Sequence, residues 1–225
     1  MYPASKISKL ISCLDSAQTS ILSVGSGDGS QQLAIVNSGH ARIRTTFFDT
    51  KLEVLKKYPD SGNILLALEQ KSIWVPLYNI DATKLHTYAN VGKFDVIMFT
   101  FPHTDLPNSH AEQVKSNQTL IRNFLISAQR CLAPGGQIEV TIKAGEFYDQ
   151  WNVPLLLQSI VNDEEGATLM YQGSHALDMK RFPMYTHRPT MGRVGKLTVV
   201  HDLHGANAHL FSRAVPDLKR KLSLS

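Results

Sequence analysis

Apolar positions at spacings of three and four, Ile7, Leu10, Ile11 and Leu14, predict a leading helix over residues 4–17. A short apolar run, Ile21, Leu22 and Val24, reads as a buried strand. It runs into Gly25-Ser26-Gly27-Asp28-Gly29, which can neither continue a strand nor fill a core. Leu33, Ala34, Ile35 and Val36 predict a helix over 31–38, closed by Ser38-Gly39. Residues 41–48, ARIRTTFF, alternate and are rich in β-branched and aromatic side chains, so they read as a second strand. Helices at 51–58 and 63–70 precede a third strand at 73–80, where Pro76 marks an edge or a bulge. Residues 94–101, FDVIMFTF, are nearly all apolar, as in a central parallel strand covered on both faces. A helix over 112–132 follows. The turn Ala133-Pro134-Gly135-Gly136 then leads to a fifth strand at 137–143. Residues 148–161 read as partly helical, and 167–175 and 194–202 as two last strands. Residues 205–225, with Lys219-Arg220-Lys221, read as a basic tail of little periodicity.

Strands alternating with helices predict an α/β fold, a mostly parallel seven-stranded sheet with helices on both faces. Ligands of such sheets bind outside the carboxyl ends of the strands, which puts the glycine loop, Asp49, Asp81, Pro102-His103 and Lys143 on one rim. Glycines there allow a cofactor to lie against the main chain and to bond free N–H groups at the next helix start. The dinucleotide fingerprint needs glycine at the first, third and sixth positions, and the sixth is Ser30. A strand followed by G-x-G-x-G instead resembles the first motif of Rossmann-like, class I methyltransferases dependent on S-adenosylmethionine (SAM). Asp49 follows Gly25 at close to the roughly 20-residue offset of a ribose-binding acid. It is equally an N-cap candidate for the helix at 51–58. Asp81 has the same two readings, ligand or cap.

The 225 residues, 43% of them hydrophobic, suffice for one globular domain, with its core over 21–202. Cys13 and Cys131 form neither a disulfide framework nor a zinc motif, and His201, His204 and His209 lack the partners of a tetrahedral set, so no metal is expected. The expected location is intracellular and cytoplasmic, or nucleolar in a eukaryote. No apolar run approaches the roughly 20 residues of a membrane span. A net charge of +4 permits a polyanionic partner. The long connection over 176–193 carries Lys180, Arg181, His187, Arg188 and Arg193 around Phe182 and Tyr185, a mixture suited to phosphate contacts and base stacking. Trp151 and Asn152 read as a buried anchor and a helix cap.

The segments ILSVGSGDGS, TTFFDTKLEVLKKYP, NIDATKL, FDVIMFTFPH, GGQIEVTIKAGEFYDQWNV and FPMYTHRPTMGR resemble, in order and spacing, the ribosomal RNA uridine-N3 methyltransferase-like family. That family's Rossmann-like domain occurs alone in fungal large-subunit enzymes and fused to a ferredoxin-fold anticodon-binding domain in an animal relative. The resemblance implies SAM as cofactor and methyl transfer to a base nitrogen of RNA. It implies cofactor contacts from Gly25, Ser26, Gly27, Asp28, Gly29, Asp49, Asp81, Ala82, Phe101 and Pro102, with Asp81 facing the adenine amino group. His103 is the candidate base, since a uracil nitrogen must lose its proton and histidine titrates near neutrality. Lys143 is the candidate for orienting a carbonyl oxygen, and Arg181, Tyr185, His187, Arg188 and Arg193 for holding substrate. Family members have G-E-G-D-F-S-F in the loop and glycine after F-P-H. This chain has Ser26, Gly29, Gln31 and Thr104 at the differing positions. A methyltransferase of small molecules or proteins, and a binding module without catalysis, are the alternatives.

Overall fold

The computed structural model describes residues 19–37, 41–104, 109–157, 169–183, 185, 187, 203 and 205–213. The leading helix over 4–17, the strand over 194–202, Arg188, Arg193 and the tail beyond 213 lie outside the described residues.

Seven strands form one sheet: β1 (Thr19–Val24), β2 (Ala41–Thr46), β3 (Trp74–Leu77), β4 (Phe94–Thr100), β5 (Leu132–Ile142), β6 (Leu169–Ala176) and β7 (Asn207–Arg213). Their order is β3-β2-β1-β4-β5-β7-β6. The first five pair in parallel, whereas β7 runs antiparallel to both β5 and β6. Pro76 therefore sits on an edge strand, where its missing N–H costs no ladder bond.

The described α-helices are α1 (Ser30–Asn37), α2 (Lys51–Lys57), α3 (Ser61–Glu69), α4 (His110–Gln129) and the single turn α5 (Glu146–Asp149). Successive strand residues feed opposite faces. Leu22, Ile97, Phe99, Ile138 and Val140 join Phe124 and Leu125 of α4 in one core layer. Ile21, Ile43, Val96 and Met98 join Leu65 and Leu68 of α3 in the other. Strands buried on both faces are why β1 and β4 read as continuous apolar runs. In α1, Gln32 donates to Ser23 Oγ of β1 (2.7 Å) and Gln31 to Thr100 Oγ1 of β4 (3.0 Å), tying the helix across the strand ends.

Three elements differ from the pattern. Ala133-Pro134-Gly135-Gly136 is a bulge inside β5: Phe94 pairs with Leu132 and Val96 with Gln137. A Cβ on Gly136 would lie 2.9 Å from the Phe94 carbonyl, so close strand pairing takes precedence over the turn signal. Residues 148–161, read as partly helical, hold over the described 148–157 the end of α5 and a 3-10 turn, Val153–Leu155, rather than one continuous helix. Asn152 in the left-handed region (φ 48°) and Pro154 break it. Trp151 is buried there as an anchor. The seventh strand is Asn207–Arg213, in the region read as tail; Ala208, Leu210 and Phe211 are its buried residues.

Candidate active site

The carboxyl ends of β1, β2 and β4 open onto a cleft of about 400 Å³. Its floor is the glycine loop. Gly25 (φ 64°) cannot carry a side chain, because a Cβ there would lie 2.8 Å from the Phe99 ring. Gly27 (φ 55°) faces open space in the cleft. Thr46 at the end of β2 pins the loop: its hydroxyl accepts from Gly25 N–H (3.3 Å) and its carbonyl from Ser26 N–H (3.1 Å). Gly29 differs from expectation. It is turned into α3, where a Cβ would meet Ile64 and Leu68 at 3.3 and 3.4 Å, so it packs the loop and does not line the cleft.

Asp28 decides what the loop can hold. Its buried Oδ1 accepts from Ser30 N–H (2.9 Å) and Ser30 Oγ (2.7 Å), so a carboxylate sits at the N-terminus of α1. That is where a dinucleotide would seat its pyrophosphate. The negative charge disfavours a phosphate there and suits a cationic ligand. The loop N–H groups of Gly25, Ser26, Gly29 and Ser30 are spent within the protein rather than left free at the helix start.

Two further acids line the cleft. Asp49 does not cap α2. Thr50 does, accepting from Glu53 N–H while Glu53 bonds back to it in a capping box. Asp49 is thereby released to the cleft, its Oδ2 held by Lys57 Nζ at 3.1 Å. Asp81 is a cap: its Oδ1 accepts from Thr83 N–H (2.8 Å) and Thr83 Oγ1 (2.7 Å) at the start of a 3-10 turn, Ala82–Thr87. Burial pushes the Asp81 carboxyl up, but the Thr83 hydrogen bonds and nearby Lys84 outweigh it, and the net shift is downward. Between the two acids Phe47, Phe48, Ile80 and Ala82 supply an apolar wall, and Phe48 is 73% exposed at its edge.

The mouth is built by the end of β4. Phe101 N–H donates to Thr141 O of β5 (2.8 Å) with Phe101 in the left-handed region (φ 53°), a strained turn for a bulky residue. Buried Pro102 follows, and His103 then lines the cleft. Its Nδ1 lies 2.7 Å from Thr104 O. A carbonyl only accepts, so Nδ1 carries a hydrogen and the neutral ring keeps its lone pair on Nε2.

Tyr185 and His187 line the cleft, Tyr185 half-buried and His187 buried. The Tyr185 hydroxyl lies 3.0 Å from His187 Nδ1, and the His187 ring packs 4.4 Å from Phe101. Burial, assisted by the charge of Lys143, pushes His187 down to about 4, and burial raises the Tyr185 hydroxyl far above its usual range. Both are therefore neutral at physiological pH. Lys143 follows β5, half-buried, and does not line the cleft. Arg181 ends a 3-10 turn, Met179–Arg181. Contributions absent from the sequence reading come from Thr46, Lys57, Phe99 and Asn117. Of these, Asn117 had a signal: a polar residue on the buried face of an amphipathic helix.

A parallel sheet extended by an antiparallel β7, with a glycine loop and acids at its carboxyl rim, defines the Rossmann-like methyltransferase fold. Sequence comparison narrows the class: the model of the BMT5-like family, described as rRNA (uridine-N3-)-methyltransferase BTM5-like, matches residues 22–189, and the chain belongs to that family. "Heavy metal-associated isoprenylated plant protein 41" of Arabidopsis thaliana is 27% identical over 144 residues, 61% of this chain and 28% of that protein. Among solved structures, TrmN from Thermus thermophilus superposes with a TM-score of 0.54 at 16% identity, over 94% of this chain and 48% of that one. The Methanococcus jannaschii fibrillarin pre-rRNA processing protein gives 0.50 at 14% identity, over 87% and 66%. These likenesses concern the fold. The chain spans under a third of that plant relative and about half of TrmN.

Proposed function

We propose that this chain is a SAM-dependent methyltransferase acting on N3 of a uridine in ribosomal RNA. Family membership supports the reaction. The observation that carries it is His103, whose Nε2 holds the ring's lone pair beside a cleft built for a cationic nucleoside.

The residues present fit SAM. Gly25 and Gly27 let its amino-acid part lie on the main chain, Asp28 and the loop suit positive charge, Asp49 retains Oδ1 for ribose hydroxyls, and Ala82 and Ile80 flank an adenine slot ending at Asp81. When bound, SAM supplies a methyl group already activated by its sulfonium. The protein's own task is alignment and proton removal. His103 Nε2 accepts the N3 proton of uracil. Neutral Tyr185 and His187 roof the site without placing a competing positive charge there, and exclude water. Lys143, the candidate for orienting a carbonyl oxygen, stands at the strand end outside the cleft lining, where its charge acts on His187. Arg181, Arg188 and Arg193 belong to the proposed RNA contacts, and a cytoplasmic or nucleolar location to the proposal as a whole. Among the described residues no helix is long and apolar enough to cross a membrane.

A smaller substrate is the second reading, favoured by Tyr185 and His187 closing over the cleft rather than offering an open stacking face. Calorimetric titration with SAM and assay of tritiated methyl transfer to RNA test the proposal. Binding with transfer is expected. Binding without any transfer to RNA favours the second reading, and absence of binding overturns both.

A further inference from the structure

The structure assigns Asn117 of α4 the part of a positioning residue that fixes the His103 ring in its Nδ1–H form; its catalytic meaning rests on the reading of His103 as the base. Asn117 is fully buried. Its Oδ1 accepts from Thr104 N–H at 2.9 Å, and its Nδ2 donates to Gln113 O at 2.8 Å. A backbone N–H can only donate and a carbonyl can only accept, so these partners leave one orientation of the amide. Both ends are thus anchored, one to the helix and one to the peptide that follows His103.

The residue that donates that peptide's N–H, Thr104, is also the one whose carbonyl, in the next peptide, takes the hydrogen from His103 Nδ1. Among the described residues, Asn117 is the hydrogen-bond partner of the Thr104 N–H. The Thr104 hydroxyl is buried without a partner, so the side chain does not steer the turn. The ring itself meets Trp151 and Phe147 edge-on or offset, at 5.8 and 6.5 Å between centroids, contacts that limit its tilt but leave the choice between its nitrogens open. The chain of command therefore runs from the helix amide through the backbone of Thr104, N–H to carbonyl, to the imidazole. Free histidine favours the opposite tautomer, with hydrogen on Nε2, which would block proton acceptance at that atom.

Nitrogen-15 NMR of histidine-labelled protein reads the tautomer directly. In the wild type His103 should show a protonated-type Nδ1 and a lone-pair-type Nε2. Asn117→Leu, close in size but unable to bond Thr104, should lose that signature. It should also lower kcat for methyl transfer on the order of 10- to 100-fold with KM for SAM unchanged. Asn117→Asp, which keeps the acceptor, should restore the signature and most of the rate. Wild-type His103 protonated on Nε2, or an Asn117→Leu protein with the wild-type signature, overturns the assignment; the first measurement needs no variant to fold. Normal transfer by His103→Gln alongside the expected tautomer would remove the base reading and leave the positioning role of Asn117 standing.

Discussion

Gly25 and Gly27 share a left-handed backbone but differ in what surrounds them, so alanine separates strain from space. At Gly25 an added Cβ meets the Phe99 ring, a core residue, and the strained φ adds to the clash. Gly25→Ala should cost about 2–3 kcal/mol in urea unfolding. At Gly27 nothing lies within 4 Å, so Gly27→Ala should cost only about 1 kcal/mol, from backbone strain. Its larger effect is on ligand: the methyl projects into the cleft, and calorimetry should show weakened SAM binding. His103→Gln keeps size and polarity but removes the base. Methyl transfer should fall by about 10²–10⁴-fold with SAM affinity retained, read by single-turnover kinetics against titration.

Helix α2 shows how element chemistry frees a site residue. Because Thr50 and Glu53 form the capping box, Asp49 is left for the cleft. Thr50→Ala should destabilise by about 1 kcal/mol, measured by thermal unfolding. The sequence reading offered Asp49 as a capping candidate, and the backbone geometry gives that part to Thr50. Much of the frame was legible. β1 and β4 follow from their apolar runs because both sheet faces are covered there, β2 from its alternation and α1 from Leu33 to Val36. β7 was not, since the alternation of Ala208, His209 and Leu210 breaks at Phe211 and Ser212, and its place is set by pairing with β5 and β6. The bulge in β5 was hidden for the same reason: long-range register outweighs local turn chemistry. In the site, the glycine loop, Asp49, Asp81 and His103 were visible as motif positions. Thr46 acts through bonds to peptides distant in sequence, which no local pattern encodes, and Asn117 showed only as a polar residue on a buried helix face.

β7 also carries an acid sensitivity. Burial, with His175 adding repulsion, lowers His209 to about 4, and its Nδ1 lies 3.2 Å from the Tyr171 hydroxyl of β6. His187 is lowered to about 4 as well. In the unfolded chain both titrate near 6.5, so between about pH 6.5 and 4 unfolding takes up protons that the folded state refuses, and stability falls as pH falls through that window. Above pH 6.5 the effect is absent. Urea midpoints should decline across the window, and His209→Gln should make the decline shallower.

Taken as a whole, the molecule places an acid-rich nucleoside cleft at one rim of the sheet, with a histidine at its mouth and neutral side chains over it. A mildly basic chain, net charge +4, is consistent with an RNA partner whose affinity falls as salt rises, through release of counterions from the phosphates it neutralises. The central claim is chemical, that a methyl group passes to N3 of uridine in ribosomal RNA. The most direct measurement is incubation of the protein with isotopically labelled SAM and unmodified ribosomal RNA, followed by digestion to nucleosides and mass spectrometry. Labelled 3-methyluridine, formed by the wild type and lost in His103→Gln, is the predicted result. Label absent from RNA, or carried on a nucleoside other than uridine, contradicts it.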